Sequence, residues 1–597
     1  MVITPTTLTI TQLLGSTNEQ YVIPAYQRRY SWRYAQVAAL WDDIDAVTGT
    51  DTHLLGTIVC LAGHHKAGIN CLELVDGQQR LTTISIILHC VLERMQLEEE
   101  EEAARDLERL LSCKALGGRA NPKIELDSLD SRQFARHVSN EEISDPENEH
   151  LVSAFGWIRE WISQLDLAAL GEFLYRLMNQ AFVIRLDVSE AKDAFKLFET
   201  INNRGLKLSP TDIIKNFILG NAARFGPKDL QHAQDRWRDL LKRLDGICTD
   251  TFFRQYLIYI RQTKVTRRKL VGEFKDYFMN GVKEAEGLPD HYRYDDQDDD
   301  DEDETDSDDG DNGDEEESSG TKRIVAKVPF KRFLKQVVDG AGFYREIFLA
   351  HTGKAAIDRR LRNLKLIKSQ QSYGFLMALR LGGCDDGKFD QVLALTEAFI
   401  LRRHVCRERS NETEQMFAKL CGIDARNPLP ALRREFRELC PTNERFAEDF
   451  AATSFKGSLM DRARYCLEQI ELYQQGRYVE LVPVGSDAVH IEHIIPQKIE
   501  GKRAKMEFGD WPTYLGANAK ARHGKYLWRI GNLTLFAGPL NCSASNNPYV
   551  RKTTAYKQSA FKITKSLPAK YPAFRYAQVD IRSAELAKLA VKVWPSP

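Results

Sequence analysis

Residues 71–95 read CLELVDGQQRLTTISIILHCVLERM, and this stretch decides the class of fold. Cys71-Leu-Glu-Leu-Val75 is a short apolar run with the character of a buried strand. Asp76-Gly77 supplies a sharp turn. From there Leu81, Ile84, Leu88, Val91 and Met95 recur every three or four residues, the period of an amphipathic helix. Phe182–Val188 (FVIRLDV) repeats the strand pattern. Ala191–Thr200 (AKDAFKLFET) is helical, with Ala194, Leu197 and Phe198 on one face. From about residue 225 to 480 helical patterns dominate, as in Arg332–Val338 and Glu397–Arg403. From about 484 two strand-like stretches, Gly/Asn/Pro turns and a basic helix near Pro548–Ser559 follow. The expected class is α+β multidomain: an α/β domain over 1–224, a largely helical coupling region over 225–480 and a small C-terminal domain over 481–597.

The chain has 597 residues, 43% of them apolar, enough for several packed cores, which excludes global disorder. No apolar run approaches the roughly 18 residues of a membrane span, and the N-terminus lacks a basic start and a cleavage site. The eleven cysteines show no CxxC spacing, which argues against a disulfide framework or a Cys-rich zinc site and for a reducing, cytoplasmic compartment. The net charge of −2 conceals an asymmetry. Seventeen of the 85 acidic residues fall in Asp295–Glu317, which holds no Lys or Arg. The rest of the chain is therefore basic, which suits either a solvated surface or a polyanionic partner. The low-complexity segment Asp295–Gly320 reads as a self-repelling solvated loop, with an acidic mimic of DNA as the alternative.

Three N-terminal segments combine chemistry-bearing residues. In Ile23–Trp32 (IPAYQRRYSW), Arg28 and Arg29 alternate with Tyr26, Gln27, Tyr30 and Trp32, a pattern that suits base stacking with phosphate contact and equally an extended segment with its rings in the core. In Val75–Thr83 (VDGQQRLTT) a helix begins just after Gly77. Unpaired N–H groups at a helix start favour an anion. Gln78, Gln79, Arg80 and Thr82 add polar groups there, and Asp76 can hold Mg²⁺ or orient a water. The alternative is a capped turn in which Arg80 pairs with Asp76. No GxxxxGK[ST] loop is present. In Phe198–Asn216, Asn202-Asn203-Arg204-Gly205 reads as a helix C-terminus that aims Arg204 at the same cleft, and Thr211-Asp212 opens the next helix.

At the C-terminal end, His490–Gln497 (HIEHIIPQ) reads as a strand with Ile491 inward, ending at Pro496. Gly531-Asn532 turns into a second strand, Leu533–Phe536, and Asn541 opens a short loop into the basic helix.

The N-terminal segments in this order resemble the N-terminal domain of GmrSD-type, modification-dependent (type IV) restriction endonucleases, over about residues 1–220. That resemblance implies a ParB/sulfiredoxin-like fold whose P-loop-free DGQQR pocket binds and hydrolyses a nucleotide, GTP or ATP, through Asp76, Gly77, Gln78, Gln79, Arg80, Thr82 and Arg204. In members that sense phosphorothioate DNA the same domain inspects the DNA backbone, a role that would fall to Tyr26, Gln27, Arg28, Tyr30 and Trp32. Residues 485–565 resemble the family's HNH nuclease domain, a ββα-metal fold. The resemblance implies His493 as general base, Glu492 and Asn541 as hard oxygen ligands for Mg²⁺ or Mn²⁺, Asn532 fixing the loop that orients His493, and Arg551 and Lys552 neutralising DNA phosphates. His490 is either a supporting group or an exposed strand histidine. The implied function is a nucleotide-dependent antiviral DNA endonuclease, compatible with a homodimer. The other readings are a nucleotide-responsive DNA sensor with an inactive nuclease scaffold and a ParB-like DNA-binding factor that does not cut. The modification read and the direction of nucleotide control stay open.

Overall fold

The computed structural model describes residues 3–115, 117–126, 130–141, 146–202, 209–287, 326–476, 489–500, 509–544 and 546–597. The acidic run Asp295–Gly320 and Arg204 lie outside the described residues. The chain is α+β and divides into two compact units. The helical middle forms no third body. Residues up to 254, with 266–287 and 326–341, belong to the first unit, and 255–265 with 342 onward belong to the second.

The first unit is built on a mixed six-stranded sheet. Its strands are β1 (Ile3–Thr9), β2 (Glu19–Ile23), β3 (His53–Lys66), β4 (Ile69–Asp76), β7 (Ile124–Leu126) and β8 (Ala181–Val188), in the order β1-β8-β3-β4-β2-β7. The short strands β5 (Ser112–Cys113) and β6 (Asn121–Pro122) form a separate ribbon. β3 and β8 run parallel, as do β4 and β2, while the β3–β4 and β1–β8 pairs are antiparallel. β4 ends at Asp76 and the helix Gln78–Leu97 begins two residues later. Leu81, Ile84, Leu88, Val91 and Met95 are all buried, as their spacing requires. So are Ile86, Ile87 and Cys90 on the flanking faces. The helix is therefore central, covered in part by Glu149–Gln164. On Ala191–Asn202 the buried row is Ala194, Phe195 and Phe198; Leu197 is only half-buried. Helices Pro227–Arg243 and Leu270–Gly281 pack on Pro210–Phe225, which is why the start of the helical middle joins this unit.

The second unit is helical apart from β9 (Val489–His493) and β10 (Leu533–Ala537), an antiparallel pair in which His493 faces Leu533 and Glu492 faces Thr534. Helices Gly538–Ala544, Tyr549–Lys557 and Tyr576–Val593 follow. Ile494, Ile495, Phe536, Tyr549, Tyr556, Phe574 and Val579 form their shared core. The inward residues of β9 differ from the expected alternation. Ile491 is half-exposed, whereas Glu492 and His493 are buried, because Glu492 finds polar partners below the sheet and His493 an aromatic one. Asn541 lies within a helix rather than opening a loop. Among the described residues no helix is long and apolar enough to cross a membrane.

Candidate active site

In the second unit the site grows from the turn that joins Leu527 to β10. Asn532 is fully buried. Its amide nitrogen donates to Ile495 O (3.0 Å) and Leu527 O (3.0 Å), and its Oδ1 accepts from Ile495 N (2.8 Å). Its backbone carbonyl accepts from Ile494 N (2.9 Å). One side chain thus fixes the chain immediately after His493. Each such bond is worth about 1 kcal/mol net, and an orphaned buried partner costs more. Asn532 therefore acts as a positioning residue with no surface for substrate. Gly531 beside it has no room for a Cβ, which would fall 2.2 Å from Val579 O and 2.4 Å from Ser583 Oγ. The glycine is required by close approach to the helix Tyr576–Val593. Arg582 of that helix, also buried, donates through Nη1 to Gly531 O (2.8 Å) and Leu533 O (2.6 Å).

His493 projects from the end of β9 with its ring edge-on to Trp528, centroids 4.8 Å apart. Nδ1 lies 3.3 Å from the Gln497 amide, and Nε2 has no hydrogen-bond partner among the described residues. Burial, then the positive charge of Lys552 and the proximity of His523, lower its pKa to about 4. The imidazole is neutral at pH 7, the form that can accept a proton. Its neighbour Glu492 is buried and held by two donors from Tyr549–Lys557, Lys552 Nζ at 2.6 Å and Tyr556 OH at 2.9 Å. Both contacts fall on Oε1. Lys552 Nζ also donates to His493 O at 2.9 Å. Burial pushes the lysine's pKa down and the carboxylate beside it pushes back up.

This geometry corrects one expectation. Lys552 does not face DNA phosphates; it is buried against Glu492, because a carboxylate inside a core needs a cation. Arg551, one residue earlier on the helix, is exposed. Asn541 is half-buried on Gly538–Ala544, which packs against β9 and β10, and His490 is half-buried on β9. Tyr556 stands in the basic helix that the sequence marked, but its bond to Glu492 was not read, and Arg582 was missed. The i,i+4 spacing of Lys552 and Tyr556 could have paired them; nothing local marks Arg582.

In the first unit Gly77 has φ +87°, and a Cβ there would meet Ile58 Cγ1 at 3.0 Å. This left-handed residue turns β4 into the helix. Arg80 lies over Gly56, where a Cβ would come within 2.9 Å of Nη2, and donates to Thr57 O at 3.1 Å. Burial lowers its pKa while the negative charge of Asp76 raises it. Several residues expected at ligands instead hold the fold. Gln79 accepts from Ser31 N (2.8 Å) and donates to Arg29 O (3.2 Å). Gln27 donates to Leu74 O and Val75 O, 3.1 Å each, and accepts from Lys215 Nζ. Tyr26 donates to Glu73, and Tyr30 OH bonds Thr83 Oγ1 at 2.8 Å. Tyr26, Gln27, Tyr30 and Thr82 are all buried, and Trp32 packs half-buried on the core. The Tyr26 and Tyr30 rings have no free face, so the base-stacking expectation for them and the DNA contact for Gln27 are corrected. The extended segment must bury its apolar bulk, and its polar ends find partners within the core, side chains for Tyr26 and Tyr30 and backbone carbonyls for Gln27.

The groups left facing one another are charged. Arg28, 46% exposed, lies 3.7 Å from Asp212 of Pro210–Phe225, and Lys215 of that helix is buried 3.8 Å from Asp212. Lys215 also feels Arg28 and Asp76. Gln78 is buried with its Oε1 lacking a partner among the described residues. Asp212 was legible as the start of this helix, and Lys215 follows it at i,i+3 on the same helical face.

Both centres fall within regions with known relatives. Residues 10–219 match the model described as GmrSD restriction endonuclease, N-terminal domain, and residues 440–589 match that of the GmrSD restriction endonucleases, C-terminal domain. The chain belongs to the GmrSD restriction endonuclease family. Membership makes DNA its substrate class and backbone cleavage its activity. No curated protein matches the chain. In this GmrSD-family protein the C-terminal match spans Glu492, His493, Asn532, Asn541, Lys552 and Arg582, and the N-terminal match spans Asp76–Arg80 and Asp212–Lys215.

Proposed function

We propose that this GmrSD-family protein is a nucleotide-gated, modification-dependent DNA endonuclease, cutting through an HNH-type centre at His493. The observation that carries the reading is a neutral imidazole whose Nε2 has no partner among the described residues, beside a carboxylate on the same strand end, with the following chain pinned by Asn532. His493 Nε2 takes the proton from the attacking water. For that, Gln497 must present its amide oxygen to Nδ1–H, so that the lone pair stays on Nε2. Glu492 Oε2 and the Asn541 amide oxygen are hard donors that fit Mg²⁺ or Mn²⁺, with waters completing the shell. An ion held by Glu492 and Asn541 would supply charge stabilisation to the phosphate under attack. Arg551, exposed on the same helix as Lys552, would meet a DNA phosphate.

Support for gating comes from the same residues. His493 and Glu492 are each only 6% exposed, and Lys552 shares the carboxylate. This is a closed arrangement that substrate must open. In the first unit, Gly77 and Arg80 with Arg28 and Lys215 would take the phosphates of GTP or ATP at the start of Gln78–Leu97, with Asp76 holding Mg²⁺ or orienting a water. A nucleotide can shift the closed-to-open population only by its differential affinity for the two states. The test is a cleavage panel of modified and unmodified DNA, with and without each NTP, in Mg²⁺ or Mn²⁺. Metal-dependent cutting that changes with modification and with NTP supports the reading. Cutting indifferent to both removes the gate.

A further inference from the structure

The C-terminal unit carries a second cluster of charge that the proposed chemistry does not use. A cleft of about 280 Å³ opens between the turn around Lys562–Lys570 and the helix Tyr576–Val593. Leu567 and Leu589 contribute an aliphatic floor, and Lys570, Arg582, Lys588 and Lys592 are set around it against a single carboxylate, Glu585. Residues 585, 588 and 592 recur at three- and four-residue intervals, so the helix presents them on one face. Lys588 and Lys592 are exposed. Arg582 is buried, and its Nη2 has no hydrogen-bond partner among the described residues. Glu585 accepts from Tyr571 OH at 2.9 Å and lies 3.6 Å from Lys570 Nζ. An anion is therefore already held by part of this cation set, and the rest is surplus.

We propose that this cleft binds two adjacent backbone phosphates of the DNA, flanking the phosphate that is cut. The inference rests on the family's DNA substrate and extends the proposed nuclease reading. Three observations favour a polynucleotide over a small anion. The helix cations Arg582, Lys588 and Lys592 are spread along nearly three turns rather than converging on one point. The aliphatic floor suits a deoxyribose. Through Arg582 Nη1 on Leu533 O, the cleft is joined to the residue that pairs with His493. Glu585 then acts as a resident competitor, lowering affinity for DNA that makes no other contact.

The test uses the full chain in EDTA with a fluorescent 20-base-pair duplex, measuring the dissociation constant across a salt series. Neutralising two phosphate contacts in Lys588→Gln/Lys592→Gln lowers the slope of log K against log salt by about 2. Glu585→Gln tightens binding several-fold. The exposed lysines Lys419 and Lys456, outside the cleft, serve as control, and Lys419→Gln/Lys456→Gln leaves the slope unchanged. An unchanged slope in the cleft variant, or an equal fall in the control, overturns the proposal. So does calorimetric binding of deoxyadenosine monophosphate alone that the cleft variant loses, since the ligand would then be a free nucleotide. Plasmid cleavage with Mg²⁺ is scored separately. Slope changes without cleavage in the wild type keep the cleft and remove the nuclease reading; cleavage with unchanged slope does the reverse.

Discussion

Replacing Gly531 by alanine adds one methyl group at a tight backbone approach near the proposed nuclease centre. The new Cβ would lie 2.2 Å from Val579 O, 2.4 Å from Ser583 Oγ and 2.8 Å from Ser583 N. Two of these atoms are backbone, so a rotamer change cannot clear them, and the helix Tyr576–Val593 must move. Overpacking of this kind costs about 1–3 kcal/mol. Moving the helix also stretches the bond from Gly531 N to Ser583 Oγ (3.1 Å) and the bond from Arg582 to Gly531 O (2.8 Å), at about 1 kcal/mol each. The expected loss is about 3–5 kcal/mol, or roughly 10 °C in the melting temperature of a unit this size. Thermal unfolding followed by circular dichroism reads it. Activity falls further than stability, because the neighbouring Asn532 sets the chain after His493. Ser583→Ala in the same chain recovers little, since Val579 O remains in place. A melting temperature within 2 °C of wild type would refute the close-approach argument.

Lys552→Met leaves Glu492 buried without its cation and costs about 3–5 kcal/mol; adding Glu492→Gln recovers most of that in denaturant titrations, and failure to recover means the two do not pair. Gly77→Ala forces a left-handed alanine against Ile58, costing about 1–3 kcal/mol, and any NTP turnover falls with it; equal unfolding midpoints would contradict the turn. His89 and His404 are half-buried in packed surroundings, with pKa values lowered to about 4 chiefly by desolvation. The unfolded chain, titrating near 6.5, binds more protons than the folded one between these values. Stability is therefore complete above pH 6.5 and is lost as pH falls towards 4, by up to about 3 kcal/mol per histidine. His89→Leu flattens that dependence in pH-dependent denaturant melts; a slope equal to wild type would remove His89 as a cause.

The elements that the sequence made legible are those whose local signals agree with their tertiary role. Cys71–Met95 combines strand formers, a glycine turn and a four-residue period, and each is satisfied by the fold around it. Leu533–Phe536 follows a glycine that only close packing explains, and it too was readable. The misreadings share one cause. Tyr26, Gln27 and Tyr30 look alike to local inspection whether they face solvent or core, and only the partners at Glu73, Leu74, Val75 and Thr83 decide. Lys552 carries a charge that ordinarily stays wet, and its burial depends on a carboxylate 60 residues earlier. Ile491 obeys strand alternation in sequence, yet Glu492 takes the inward place because that partner waits for it. Arg582 is invisible locally, since its acceptors are carbonyls some 50 residues away.

The most direct measurement compares wild type and His493→Ala for nicking of supercoiled DNA carrying the modification that the cleavage panel identifies. Both are assayed with Mg²⁺ or Mn²⁺ and again with EDTA, after matched melting curves show both folded. The proposed chemistry predicts cation-dependent nicking by the wild type and a loss of about 10²–10⁴-fold in the variant. Equal nicking by the two proteins would place the base elsewhere and contradict the assignment.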